Sequence, residues 1–235
     1  MAVEAYQLMS LDSRAAILSQ IRQSQTRLEE QVRNKVQAEP IGDTRGDSEN
    51  LVERFSREAE MAGAQQHRVM RQEDAVEVVH QILCDNDASD ILAWNSTDLL
   101  MGELNKALIQ RGYRLLDAVL PKSADERKIK LGQLAQAKVG VTGALAGIAA
   151  TGTVVLASGP DRARLAWLLP PVHVALLSSH SIYPTLSSFF SGREDCVRRS
   201  SHVAFVTGPS RTADIEQTLT RGVHGPTNVH IVLVD

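Results

Sequence analysis

Residues 90–118 read DILAWNSTDLLMGELNKALIQRGYRLLDA. Asp90 to Trp94 is a short apolar run of strand type. Leu99 to Gln110 carries apolar residues at helical spacing, and Gly112 stands where a C-cap glycine belongs. Tyr113 to Ala118 then returns to strand. One stretch thus passes from strand to helix to strand.

The alternation continues on both sides. Upstream, Leu51 to Ala62 reads as helix, Gln66 to Met70 as a short extended piece and Ala75 to Leu83 as helix. Downstream, Ala124 to Ala137 is a helix, and Val139 to Thr142 opens a glycine-rich region. Thr153 to Ala157 and Val172 to Leu177 are buried strands. Ile182 to Phe190 reads as helix, with Pro184 in its first turn. Val203 to Val206 is a strand, Thr212 to Leu219 a helix and Val229 to Val234 a final strand. Such alternation implies an α/β fold, a largely parallel sheet with helices on both faces.

The N-terminal part differs. Leu11, Leu18, Ile21, Leu28, Val32 and Val36 recur at helical spacings among Arg, Gln and Glu. Pro40, Gly42 and Gly46, with Asp43, Thr44 and Asp47, form a polar break. The expected division is a helical arm with linker over residues 1–48 and an α/β domain over 49–235. An isolated arm must bury its stripe on the core, a second copy or another subunit.

The chain has 235 residues, 43% hydrophobic and 23% charged, with a formal net charge of -3. These values suit a soluble globular protein and give no footprint for nucleic acid or an anionic membrane. Met1 to Ser10 lacks a basic run followed by an apolar one, so no signal peptide is expected. Val139 to Ala157, the most apolar stretch, is interrupted by glycines and threonines and lacks the continuity of a membrane span. Cytoplasm is the expected compartment. The two cysteines, Cys84 and Cys196, are far apart. An iron–sulfur cluster needs about four thiolates, so this chain cannot hold one alone. No spaced histidine pair suggests a metal, and no metal site is expected.

The segment after Val206 is the main candidate for chemistry: Thr207-Gly208-Pro209-Ser210-Arg211-Thr212-Ala213-Asp214-Ile215-Glu216. The reading is a strand entering a tight turn from which a helix leaves, at a carboxyl end of the sheet where ligands bind. Gly208 allows close backbone approach. Ser210 and Thr212 can cap the helix or donate to an anion, and Arg211 can hold a carboxylate or phosphate through two parallel bonds. The same residues also suit an ordinary capped turn, with Asp214 and Glu216 complementing the helix dipole. In the glycine-rich stretch, Thr151 and Thr153 offer hydroxyls and Gly152 an accessible amide. It has no Walker lysine and no dinucleotide spacing. A third segment, Gly159 to Arg164, places Asp161 as a cap and Arg162 or Arg164 toward an anion or solvent. His173 and His230 lie inside strands and read as structural. His224, in a turn-rich loop, is a candidate to face the site.

The string from Thr207 to Glu216, followed by Arg221-Gly222-Val223-His224-Gly225-Pro226 and a terminal strand, resembles the C-terminal signature of the LUD (lactate utilisation) family. Ile148-Ala149-Ala150-Thr151-Gly152-Thr153 and Leu169-Pro170-Pro171-Val172-His173-Val174 resemble two further family segments. Many members carry glutamate at the position of Ala150, so an acid or base there is missing. The resemblance implies a three-layer αβα fold like those of glucosamine-phosphate deaminase, ribose-phosphate isomerase and CoA transferases. It implies a role in oxidising L-lactate to pyruvate beside iron–sulfur partner subunits, this chain being the cluster-free member.

A small organic acid or phosphate-bearing ligand would then meet Gly208, Ser210, Arg211, Thr212, Thr151, Gly152 and Thr153. Asp214, Glu216 and His224 would stand behind them. The ligand and any cofactor are not specified by sequence, and no general base is assigned. Two alternatives stay open. One is a stand-alone enzyme on a CoA, folate or sugar-phosphate substrate. The other is a non-catalytic scaffold docking partners or a second copy through its arm.

Overall fold

The structure, a computed structural model, describes residues 13–24, 50–95, 99–213, 219–222 and 225–235. The chain divides into two compact units, Met1–Gly42 and Asp43–Asp235. In the first, residues 13–24 form a helix, α1. Ile17, Leu18 and Ile21 are exposed on it.

The second unit runs α2 (Leu51–Met61), β1 (Gln65–Val69), α3 (Gln72–Asp85), β2 (Asp90–Ala93), α4 (Leu104–Gln110), β3 (Arg114–Leu116), α5 (Ala124–Leu134) and β4 (Val139–Gly143). It continues through β5 (Ala146–Ile148), β6 (Thr153–Ser158), α6 (Leu165–Leu168), β7 (Val172–Ser178), β8 (Ile182–Tyr183), α7 (Leu186–Gly192) and α8 (Glu194–Arg199). The last elements are β9 (His202–Val206), β10 (Arg211–Ala213), β11 (Leu219–Arg221) and β12 (Asn228–Val234).

Six strands form the parallel sheet anticipated from the alternation, in the order β1-β12-β7-β4-β2-β3. Its inner strands are nearly continuous apolar runs because both faces are covered. In β7, Val174 to Leu177 are all fully buried. Helices pack on it, with α3 against β1 and β12 and α6 against β4, β2 and β7. Among the described residues no helix is long and apolar enough to cross a membrane.

A second sheet, of order β8-β5-β6-β9, accompanies the first. It mixes antiparallel β5–β6 and β6–β9 pairs with a parallel β5–β8 pair. Its two faces follow from strand alternation. Val154 and Leu156 of β6 point into the main core, with Ala204 and Val206 of β9 packed against it. Val155, with Ala146 and Ile148 of β5, turns the other way into a small core around Phe189 of α7.

Three local expectations are corrected. Ile182 to Phe190 is not one helix: Ile182 and Tyr183 form β8, and α7 starts after Pro184. Thr185 supplies its N-cap, in a capping box closed by Ser188. Thr212 to Leu219 does not run as a helix either. Arg211–Ala213 and Leu219–Arg221 pair antiparallel, in register Thr212↔Thr220. Finally, the strand before Gly208, β9, belongs to the mixed sheet and not to the parallel one. Its loop is therefore not a carboxyl-end loop of the central sheet.

Candidate functional site

Strands β6 and β9 pair antiparallel with Val154 opposite Val206. The residues flanking that pair, Thr153 and Thr207, therefore emerge side by side. Their hydroxyl oxygens are 2.6 Å apart, and Thr151 Oγ1 lies 2.7 Å from Thr153 Oγ1. Two segments some fifty residues apart are thus joined by a file of three hydroxyls. Thr153 is 5% exposed, so these hydroxyls satisfy one another in place of water.

Helix α2 sets the other boundary. It ends in a Schellman motif: Ala64 N donates to Ala59 O (2.9 Å) and Gly63 N to Glu60 O (2.8 Å). That leaves the carbonyl of Ala62, which accepts from Arg211 Nη2 at 2.7 Å. A guanidinium at a helix C-terminus also complements the dipole. Both motif segments press on this helix end. Gly152 (φ +60°) would place a Cβ 2.1 Å from Ala59 N, and Gly208 (φ +71°) one 2.3 Å from Ala62 O. Only glycine satisfies the left-handed backbone and the close approach together.

Beside this joint opens a cavity of about 290 Å³. Thr207, Gly208 and Ser210 form one wall, with Arg164, His173 and His202 among the other lining residues. The loop is fastened by backbone bonds, Ser210 N to Pro226 O (2.9 Å) and Gly222 N to Ser210 O (3.1 Å). His173 is fully buried on β7. Its Nε2 lies 2.8 Å from Thr142 Oγ1, while its Nδ1 has no partner. Burial first, then the neighbouring His230, pushes His173 down to about 3. The imidazole is neutral at physiological pH and offers one unpaired nitrogen.

The cavity sits where β7 and β12 begin, beside His173 and Val229. The carboxyl ends of β2 and β3 border another cavity, of about 460 Å³, lined by Trp94, Asn95, Asn105, Asp117 and Asp161. There Asn105 Nδ2 donates to Trp94 O at 2.9 Å, and its buried Oδ1 has no partner. The sequence reading gave only Trp94, as a strand end, and Asp161, as a cap, and took neither as a site residue. The polar Trp94–Asn95 step at the end of β2 was the available signal.

The predicted residues are therefore placed as follows. Gly208 and Ser210 line the smaller cavity. Thr151, Gly152 and Thr153 form the adjoining turn, linked to it through Thr207. Arg211 is exposed, bonded to Ala62 at the end of α2 and not among the lining residues. Thr212 contributes backbone to β10. Asp214, Glu216 and His224 lie outside the described residues. Ala150 donates its backbone N–H to Pro184 O at 3.0 Å. Among the described residues no cluster of three His, Cys, Asp or Glu side chains could hold a metal ion.

Comparisons with known proteins agree with this architecture. A Deinococcus radiodurans protein of the DUF162 family, solved by crystallography, superposes with a TM-score of 0.57 at 20% identity, over 79% of this chain and 96% of that one. It supports the fold alone. Lactate utilization protein C of Bacillus subtilis is 35% identical over 47% of this chain and 48% of its own length. Lactate utilization protein C of Halalkalibacterium halodurans is 30% identical over 72% of each chain. An uncharacterized protein of Neisseria meningitidis serogroup B is 36% identical over 51% of this chain and 53% of its own length. The chain thus spans about half the length of two of these relatives. The LUD domain profile matches residues 52–234, nearly the whole α/β unit, and the chain belongs to the LUD domain family.

Proposed function

We propose that this protein acts in lactate utilisation, as the cluster-free subunit of a cytoplasmic assembly that oxidises L-lactate to pyruvate. The relatives named lactate utilization protein C support the process. The carrying observation is the cavity whose lining includes Thr207, Gly208, Ser210 and the buried His173. It has room for a small organic acid or a phosphate-bearing fragment. The Ser210 hydroxyl and the Arg164 guanidinium are donors for its negative charge. The neutral His173 ring would meet a hydroxyl or carbonyl oxygen. Arg211 would act one step back, holding the loop on α2.

With Cys84 exposed and Cys196 half-buried as its only thiols, the chain supplies no cluster ligation of its own. Electrons from lactate would pass to the iron–sulfur partner subunits. On this reading residues 49–235 hold the ligand and the 1–48 arm serves assembly. The test is growth of a deletion strain on lactate as sole carbon source. Wild-type protein should restore growth, and His173→Phe or Ser210→Val, expressed to equal levels, should not. Full rescue by both variants, or unimpaired growth of the deletion strain, would refute the proposal.

A further inference from the structure

The cavity of about 460 Å³ at the ends of β2 and β3 stands where the winding of the parallel sheet reverses. From β2 the chain passes outward to β3, whereas β4 pairs on the other side of β2 and the sheet continues from it to β7. Ligands of open α/β sheets settle at the carboxyl ends of strands beside such a reversal. Trp94 and Asn95 follow the end of β2, and Trp94 is 3% exposed. The Trp94 backbone N–H donates to Val141 O on β4 at 3.1 Å, and its indole Nε1 donates to Ala163 O at 3.1 Å. Asn95 N donates to Asp161 O at 3.4 Å, which ties the turn after β6 to the same strand end. The lining is thus built from segments already bonded to one another. It shares no residue with the lining of the cavity at the Thr207 loop.

The charged groups of the lining are all of one sign. Asp117 and Asp161 contribute carboxylates, and no Lys, Arg or His is among the described lining residues. Neither carboxylate takes part in an ion pair among the described residues. Ser96-Thr97-Asp98, next after Asn95 in the sequence, adds no basic residue. Arg162, next after Asp161, lines a different cavity, beside α7 and α8. Asp117 is held by its own turn, its Oδ1 accepting from Val119 N at 2.9 Å. Asn105 spends its Nδ2 on Trp94 O, and its buried Oδ1 has no partner. Two carboxylates without a counter-ion and an unpaired acceptor suit a ligand that brings N–H donors and positive charge. No described cluster of three His, Cys, Asp or Glu side chains suits a metal ion instead. Leu115, Leu116, Val119 and Pro160 give the same lining an apolar part, and the volume has room for an organic body.

We infer that this cavity is a second small-molecule site, taking an organic ammonium ion with an apolar body, and independent of the lactate reading. The experiment is calorimetric titration of the full chain near neutral pH with phenethylamine as probe. Phenethyl alcohol and phenylacetate serve as its neutral and anionic counterparts. Saturable one-to-one binding of phenethylamine is expected, with the alcohol about tenfold or more weaker and no binding of phenylacetate. Asp117→Asn with Asp161→Asn should weaken phenethylamine binding by about tenfold or more, the loss expected for charge-assisted bonds. Asparagine keeps the acceptor for Val119 N and tolerates the φ of +60° at position 161, so both turns are retained. Should the pair fail to fold, Asp117→Asn alone, at an exposed position, should still weaken binding severalfold. Asp195→Asn, an exposed carboxylate outside this lining, and Ser210→Val should leave the affinity unchanged. Absence of saturable binding, equal affinity for the alcohol or the acid, or affinity unaffected by the aspartate variants would overturn the inference. An equal loss in Asp195→Asn would also overturn it, as diffuse attraction to an acidic chain. Loss of binding in Ser210→Val would overturn its independence.

Discussion

Thr153 Oγ1 and Thr207 Oγ1 stand 2.6 Å apart across the end of the β6–β9 ladder, and Thr151 extends the file at 2.7 Å. The contact joins the two signature segments. Thr153→Val and Thr207→Val should each cost about 1–2 kcal/mol, because each strands a partner hydroxyl. The double variant should cost clearly less than their sum, since only the exposed Thr151 hydroxyl then loses its partner. A double-mutant cycle from urea unfolding checks this, and strict additivity would count against the contact.

Gly208 and Gly112 both have positive φ, but only Gly208 faces a neighbour, the Ala62 carbonyl. Gly112→Ala should cost about 1 kcal/mol, the backbone contribution alone. Gly208→Ala should cost about 2–4 kcal/mol, because the loop must also lift off α2. Chemical denaturation of the two variants measures the difference. Equal losses would mean the close approach is relieved elsewhere.

Arg211→Ala should lower stability by about 1 kcal/mol, a modest figure because the side chain is exposed and its partner is a helix-end carbonyl. Arg211→Lys should recover part of it. Growth on lactate should follow residual stability in both variants. A variant of normal stability that abolished growth would instead make Arg211 a direct ligand contact.

Two strand histidines are held neutral, His173 at about 3 and His230 at about 4. Burial dominates in each, with His67 a further cause for His230, whose Nδ1 lies 3.1 Å from His67 Nε2. The unfolded chain binds protons at these groups near pH 6.5, and the folded chain resists until pH 3–4. Their contribution is therefore complete above pH 6.5 and is lost as pH falls toward 4. Unfolding free energies measured stepwise from pH 7.5 to 4.5 should decline. His173→Gln with His230→Gln should flatten that decline, and a flat wild-type profile would refute it.

The parallel sheet was legible because its strands are buried on both faces and read as apolar runs, as in Val172 to Leu177. The second sheet was not. β5 is only Ala146-Gly147-Ile148, inside a run of small residues with no period of its own. Ser210, Thr212 and Asp214 look like a helix start, yet the same residue types serve turns, and the backbone pairs β10 with β11. The signature residues could be named from sequence. Their seat on α2 could not, because the Ala59 and Ala62 backbone that receives Gly152 and Gly208 has no side-chain signal. His173 read as structural, and no sequence feature signals that its Nδ1 is unpaired in a residue lining a cavity.

The turn from Gly159 to Arg164 borders three cavities. Asp161 faces the one at the strand ends, Arg162 one of about 630 Å³ beside α7 and α8, and Arg164 the one beside Ser210. Asp161 holds this turn at φ +60°, a conformation with few neighbouring alternatives. Six consecutive residues are thus a shared partition wall. A single substitution in this short turn would therefore be felt on more than one side of it.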